Sequence, residues 1–322
     1  MGGRLPPMFD LGPIHDPSTL VPLPEPLQQS ALYARAVTRL GGRCRVLDLP
    51  SGPVRVISRR FPLLGEVALI SRGPPGLDLT TAPDLRARTG ARHLIVHAED
   101  AGCAGALADA GFRRIARPRQ IAEVPLAPSH AAMLAAMRGK WRNRLRHGLA
   151  QGLTVTQAAM PPDPRHWLLA AEARAARRLG YHPLPPVMIA ALAGADPGAG
   201  RLFTARGPDG PIAAMLFFRH GRTATYQVGW SDAAGRAASA GPVLMWHAMQ
   251  ALQANGAEVI DLGLAEPRTA PGLARFKLGT GARLRVLGGS WVSSCALPRR
   301  RRPMARALVR DGALGHGEHA MP

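Results

Sequence analysis

The sequence predicts an α/β chain made of two similar units, and three observations carry that prediction. Residues 223–281 read in order as a strand, a small-residue loop, a helix, a second strand and a short closing helix. The same order occurs earlier. TGARHLIVHAED (89–100) and NGAEVIDLGLAE (255–266) each pass from a helix-ending glycine through an apolar strand to an acidic exit. A short helix closed by glycine (Gly111; Gly279 and Gly281) and another strand then follow in both places, which argues for duplication. Finally, 322 residues with 46% hydrophobic content are enough for one large or two ordinary domains with real cores. The boundary is expected near residues 127–128.

Residues 1–26 are proline-rich and are expected to form an extended lead-in. LQQSALYARAVTRLGG (27–42) opens the first unit (27–127) as a helix, with Leu27, Leu32 or Tyr33, Ala36 and Leu40 near one face and Gly41-Gly42 as its stop. CRVLDL, VRVISRRF and EVALISRG read as strands, the first two joined by a turn at residues 50–53. A helix over 82–89, the strand ARHLIVHA and the small-residue helix DAGCAGALADAG come next. FRRI and QIAEVPL are expected to complete this unit.

The second unit (128–295) begins with HAAMLAAMRGKWRNRLRHGLAQGLTVTQ (130–157). Met133, Leu134, Met137, Trp141 and Leu145 fall on one face of a connecting helix. Arg138, Lys140, Arg142, Asn143, Arg144 and Arg146 crowd the rest. No acid interrupts that run and its i,i+4 pairs repel, so it is either a solvated basic face or a phosphate contact. DPRHWLLAAEARAARRLG and PPVMIAALA predict two more helices, and RLFTAR with PIAAMLFFRHG a hairpin turning at 207–210. ARLRVLGGSWVSS is expected to close the second unit's sheet, with residues 296–322, including the RRRR run, a disordered basic tail.

Chemistry concentrates in residues 223–281. TATYQVGW is aromatic and β-branched, as a half-buried strand should be. Pro242 suits a helix's first turn, Val243, Trp246, Met249 and Leu252 share one side, and Asn255-Gly256 ends the helix. A strand feeding a helix N-terminus through a tight loop offers free N–H groups and a positive dipole end to an anion.

The formal charge of +20 suggests a polyanionic partner. However, only Lys140 and Lys277 of the 41 basic residues are lysines, and arginine rises together with alanine, glycine and proline. A GC-rich coding background produces that pattern and accounts for much of the charge, which leaves such a partner open. Base-stacking aromatics are also scarce among the basic residues, with Trp141 alone in the run. No stretch of about 18 apolar residues predicts a spanning helix. MGGRLPPMFD lacks the charged-then-apolar build of a signal peptide, so the expected location is the cytoplasm. Cys44, Cys103 and Cys295 are odd in number and far apart, giving no disulfide framework and no zinc spacing, and no metal is expected.

These residues together resemble the GNAT acyltransferase superfamily, and within it the double-domain branch that includes the Fem-type peptidyltransferases. The resemblance spans roughly residues 27–295. It rests on LQQSALYARAV and ISRGP in the first half, and on KWRNRLRHGLAQGLTV, PIAAMLFFRHGRTATYQVGWSD, GPVLMWHAMQALQANGAEVIDLG and GLARFKLGTG in the second. It implies two tandem GNAT-like domains, each a mixed, mostly antiparallel sheet flanked by helices, with the acyl-donor cleft in the second. The GNAT pyrophosphate loop has a Q/R-x-x-G-x-G/A pattern. Its nearest match is 236–241, where Arg236, Ser239, Ala240 and Gly241 would meet the donor beside Val228 and Gly229, with serine in a glycine position. The helical arm that some Fem-type enzymes insert for tRNA has no room between Leu153 and Arg201.

The implied function is an N-acyltransferase moving an acyl group from acyl-CoA to a small-molecule or cell-envelope amine. The alternatives are a Fem-like transferase that uses aminoacyl-tRNA on a cell-wall precursor, and a non-catalytic nucleic-acid-binding module. Acyl transfer to an amine needs a deprotonated nucleophile and a stabilised oxyanion. Lys277 could supply that positive charge or hold an acceptor phosphate, or be a plain surface lysine. Asp261, at a sheet exit, could orient the amine, act as base or merely cap. Tyr226 could protonate a leaving group or simply fill core. Lys140, Arg142, Asn143, Arg144 and Arg146 would hold substrate phosphate. His247 reads as a core histidine and Glu266 as a further acid candidate.

Overall fold

The computed structural model describes residues 24–73 and 84–295. The expected tail, most of the lead-in and the start of the helix at 82–89 lie outside the described residues. A 3-10 turn (Leu27–Gln29) leads into α1 (Ala31–Arg39), β1 (Arg43–Leu49), β2 (Gly52–Phe61), β3 (Gly65–Ser71), α2 (Leu85–Thr89), β4 (His93–Ala98), α3 (Cys103–Asp109), β5 (Arg113–Ala116) and β6 (Gln120–Pro125). Next come α4 (His130–Ala136), α5 (Gly139–Ala150), β7 (Thr154–Ala159), α6 (Trp167–Leu179), α7 (Pro186–Ala195), β8 (Gly200–Gly207), β9 (Gly210–His220) and β10 (Thr223–Ser231). The chain finishes with α8 (Ala233–Ala237), α9 (Ala240–Ala254), β11 (Val259–Leu264), α10 (Pro271–Gly279), β12 (Arg283–Val286) and β13 (Gly289–Ser294).

Two mixed, mostly antiparallel sheets result. The first has the order β1-β2-β3-β4-β13-β5 and the second β12-β6-β11-β10-β9-β8-β7. Each contains one parallel pair, β3 with β4 and β10 with β11. A parallel pair needs a long crossover, and in the second sheet α9 is that crossover. Apart from the extra β7, the two orders superimpose strand for strand, with β13 standing in the first sheet where β6 stands in the second. The duplication seen in the sequence is therefore real at the level of topology.

Strand ownership differs from the sequence expectation. QIAEVP, expected to finish the first unit, is β6 and pairs with β11 and β12 of the second sheet. SWVSS, expected to close the second sheet, is β13 and lies between β4 and β5 of the first. Burial explains the arrangement. Trp291 of β13 is 5% exposed within the first core, beside Val54, Ile70, Leu94, Leu107 and Phe112, while Ala122 and Val124 of β6 lie in the second. Local sequence carries no information about which sheet an apolar strand joins.

The second sheet is covered on both faces. Met133, Met137, Trp141, Leu145 and the buried side of α9 pack on one face; Leu168, Leu169, Met188, Ile189 and Leu192 of α6 and α7 pack on the other. Leu32, Ala36 and Val37 of α1 join that second cluster, so the first unit's leading helix packs largely on the second unit's core. The single helix expected over 130–150 is broken in two. Arg138 takes an extended conformation, and its N–H donates to the Gly279 carbonyl (3.0 Å) instead of to a helical partner.

Because β13 completes the first sheet, damage at the far C-terminal strand should unfold the N-terminal half. Trp291→Ala is expected to cost about 3–5 kcal/mol, as large aromatic deletions from cores do. Urea denaturation read by a probe placed on β2 would check this; a loss under 1 kcal/mol would contradict the exchanged-strand arrangement.

Candidate active site at the junction of the two sheets

β10 and β11 run parallel for three residue pairs, ending at Thr225 opposite Asp261, and then part. Irregularities on both strands enforce the parting. A bulge shifts β10 between Tyr226 and Val228, and another shifts β11 between Asp261 and Leu264. Gly263 supplies the left-handed φ of +71° that the second bulge requires. Its N–H donates to Asp261 Oδ1 at 2.7 Å. Polar backbone that a continuous sheet would consume is thereby freed at the opening.

Lys277 of α10 reaches into this opening. Its side chain is buried, its Nζ donates to the Leu264 carbonyl at 2.8 Å, and it lies 5.9 Å from the Tyr226 ring centroid. Burial pulls its pKa down to about 8, against the pull of Asp261, which favours the charged form. Tyr226 is packed against Phe217 and over Gly229, where any Cβ would displace its hydroxyl. Burial first, and then the neighbouring Glu172 and Tyr181, raise its pKa, so it stays protonated at neutral pH. The structure thus brings Lys277, Asp261 and Tyr226 together.

Asp261 is not a free base. Its Oδ1 accepts from Gly263 and its Oδ2 accepts from Arg72 Nη1 at 2.6 Å, across the junction from the first sheet. Arg72 in turn grips Glu99 through Nε (2.6 Å) and Nη2 (2.9 Å). Arg285 of β12 binds the same Glu99, donating Nη1 to its carbonyl at 2.7 Å, and grips Glu123 of β6 at 2.7 and 3.0 Å. Two buried carboxylates and the partly buried Glu123 therefore meet two guanidiniums, and Lys277 is the third cation. Burial would depress the Arg72 pKa, but Asp261 and Glu99 outweigh it and raise it. His220 Nε2 lies 2.9 Å from Thr225 Oγ1, and burial drops its pKa to about 4, so the ring is neutral.

The opposite wall is the strand–loop–helix unit. Ser239 starts α9 with φ +53° and no side-chain cap, so the first amides of a 15-residue helix are left unpaired by side chains. Serine stands where the resemblance implies glycine, and it takes the left-handed conformation that glycine favours. Gly241 packs over Met215, the residue opposite Gly229 on β9, and beside Phe276. Gly229 and Gly241 thus share the α9 face of the sheet through Met215, with Ala240 buried in the core beneath the helix start, whereas Val228 turns to the opposite face and is buried among the α6 and α7 residues. The Arg236 guanidinium turns back to the Ser231 carbonyl at 2.8 Å.

The residues expected to bind phosphate are spread over two flanks of α5. On α5, Arg142 and Arg146 border an apolar groove of about 430 Å³ lined by Leu134, Leu145, Leu149 and Trp246. Lys140 and Arg144 fall on the other flank by helical spacing, and Asn143 accepts from Arg146 at 3.2 Å. Glu266 is paired with Arg119 (2.9 Å), and His247 is half-buried along α9. Among the described residues, no group of three or more histidines, cysteines and acids could hold a metal ion.

Sequence reasoning missed Arg72, Glu99 and Arg285, and also Glu172, whose carboxylate accepts from Tyr181 near Tyr226. The signal for Arg72 and Glu99 was present. They exit β3 and β4, the first unit's counterparts of β10 and β11.

A parallel pair that parts beside an uncapped helix N-terminus, in a sheet whose strand order is repeated along the chain, defines a tandem GNAT-type fold. Residues 135–278 match the family model described as Acetyltransferase (GNAT) domain, so this segment is a transferase-type domain. Comparison with curated proteins gives no match. Among solved structures the chain is similar to FemX, with 15% identity, a TM-score of 0.66, and coverage of 84% of this chain and 92% of that one. It is also similar to the C-terminal domain of a proposed lysylphosphatidylglycerol synthetase from Agrobacterium fabrum, at 18% identity and TM-score 0.52, covering 83% and 88%. At such identities the likeness is one of fold, and it bears out the two-domain fold that the resemblance to the double-domain, Fem-like branch implies. None of the described helices is long and apolar enough to cross a membrane.

The buried lysine gives a pH prediction with a definite sign. In the folded chain Lys277 loses its proton near pH 8, against an ordinary value of 10.5. Between those values the unfolded chain binds the extra proton, so stability rises with pH across the window and this contribution is flat below it. Compared with Lys277→Met, the wild type should gain about 2–3 kcal/mol from pH 8 to 10.5. Urea titrations at a series of pH values measure the difference, and parallel curves would refute the depressed pKa.

Proposed function

We propose that the opening between β10 and β11 is an acyl-transfer site, moving an acyl group from acyl-CoA to an amine in the cytoplasm. The single observation behind this reading is the convergence of Lys277, Tyr226 and the uncapped start of α9 on one parted strand pair. An acyl thioester would supply an activated carbonyl. The unpaired amides of Ala240 and Gly241 fit its diphosphate, with a positive dipole end behind them. The charged form of Lys277 stabilises the oxyanion that develops when the amine adds. Tyr226, held protonated, donates to the thiolate as the C–S bond breaks, and its phenolate takes back the proton that the amine sheds as the C–N bond is completed. Asp261, engaged with Arg72, keeps a negative charge beside Lys277 and so maintains its ammonium form.

Lys277→Ala should lower kcat by about 10²–10³ with a much smaller change in KM, at unchanged circular dichroism. Thermal shift against a panel of acyl-CoAs and charged tRNAs identifies the donor, because a ligand that binds only the folded state raises its melting point. No acyl-CoA binding by calorimetry would sink the first reading.

A second reading, transfer from aminoacyl-tRNA, is favoured by α5. Lys140, Arg142, Arg144 and Arg146 form no ion pair with an acid among the described residues. Neutralising Arg142, Arg144 and Arg146 together should weaken binding of a phosphate-bearing ligand about tenfold or more and flatten its salt dependence. Equal affinity in 50 and 200 mM salt for both proteins, or activity that survives RNase, would rule the tRNA reading out.

A further inference from the structure

We propose that Arg72, contributed by the first sheet, is a positioning residue for the transfer site of the second, acting on Lys277 through Asp261 and the β11 bulge. The inference rests on Lys277 being the cation of that site. It makes the first unit a working part of the site, so the half without its own lysine is not inert.

The path is continuous. Arg72 Nη1 fixes Asp261 Oδ2 at 2.6 Å, which leaves Oδ1 to accept the Gly263 N–H at 2.7 Å. That second bond closes the bulge at Gly263, and the bulge places the Leu264 carbonyl 2.8 Å from Lys277 Nζ. Arg72 itself is over-determined. It is a non-glycine residue at φ +57°, a conformation that strains an L side chain, and bonds to two carboxylates from different sheets hold it there. A mostly buried guanidinium that spans 189 residues of sequence to reach one carboxylate oxygen is poorly explained as surface decoration.

Asp261 from β11 is the charge that acts on Lys277, Tyr226 from β10 lies beside it, and neutral His220 at the end of β9 is bonded to Thr225 on the far side of Asp261's strand pair. Behind Asp261 stand Arg72 and Glu99 at the ends of β3 and β4, Arg285 on β12 and Glu123 on β6; Glu266, before α10, is tied to Arg119. Removing the Arg72 charge leaves Asp261 unopposed, which favours the ammonium form of Lys277. Removing the Glu99 charge instead throws Arg72 wholly onto Asp261 and disfavours it. The two changes must push Lys277 in opposite directions.

The chain's lysine content makes this measurable without any assay of activity. With only Lys140 and Lys277 present, the rate of labelling by an amine-reactive reagent can be followed at each by mass spectrometry across pH 6–11, with exposed Lys140 as internal reference. Arg72→Met is expected to move the Lys277 midpoint up by about half a unit or more and Glu99→Gln to move it down, while Arg72→Lys restores the wild-type midpoint in large part. Lys140 should not move in any of them. Should Arg72→Met fail to fold, Glu99→Gln and Arg72→Lys still decide the matter. A folded variant with an unmoved Lys277 midpoint, or a shift of the same sign for Arg72→Met and Glu99→Gln, overturns the proposal. If the midpoints shift as stated but Lys277→Ala leaves turnover intact, the positioning path stands and the transfer reading falls.

Discussion

The ion pair between Arg72 and Asp261 is where the two halves of this molecule become one site. Burying a carboxylate beside a parted strand pair is costly unless a cation and hydrogen bonds satisfy it. Here the cation comes from the other sheet, and the remaining lone pairs are met by the Gly263 amide. Removing either partner would leave an unpaired buried charge, the costly case for such pairs. Two further carboxylates and Arg285 extend the arrangement from β12 to the end of β4, so both sheets are held in a single relative position. Strand exchange does the same in the backbone, since β6 and β13 each complete the sheet contributed mainly by the other half.

This coupling has a consequence for how a duplicated fold divides its labour. Both copies have a parallel strand pair ending at comparable positions, and both ends are polar. In the second copy the exit carries Asp261, Gly263 and a following helix with Lys277. In the first it carries Arg72 and Glu99, and the following helix, α3, is short and has no basic residue. The first copy's exit is therefore turned toward the second copy's opening and supplies counter-charge to it. The equivalent position in the two halves has become a donor in one and an acceptor in the other.

The local elements were legible in the sequence because local physics sets them. Pro242 in a first turn, Asn255-Gly256 at a stop, the hairpin at 207–210 and the alternation of TATYQVGW all declare themselves within a few residues. Lys277 stood out because lysine is rare in this chain, and Asp261 because of its place at a strand exit. What stayed hidden is long-range. QIAEVP and SWVSS are short apolar strands whose partners are chosen by the shape of two cores. Arg72 sits among dozens of arginines, so its type carried no signal. Only the fold shows that its neighbour is 189 residues away. The break at Arg138 was likewise set from outside, by the Gly279 carbonyl that takes its N–H.

The same contrast bears on the basic surface. Of the arginines near the site, those whose charge is used are buried and paired, as Arg72 and Arg285 are with Glu99. The α5 arginines are exposed or half-buried and form no ion pair within the described chain, where an isolated charge is worth little to stability and is screened by salt. Compositional bias can fill an exposed helix face with arginine at almost no folding cost, but it cannot place a guanidinium 2.6 Å from a buried carboxylate on another sheet. Net charge is therefore a poor guide to function in this chain, whereas a burial that demands a specific partner is a good one. By that measure the junction of the sheets, more than the basic helix, is where charge is placed with structural purpose.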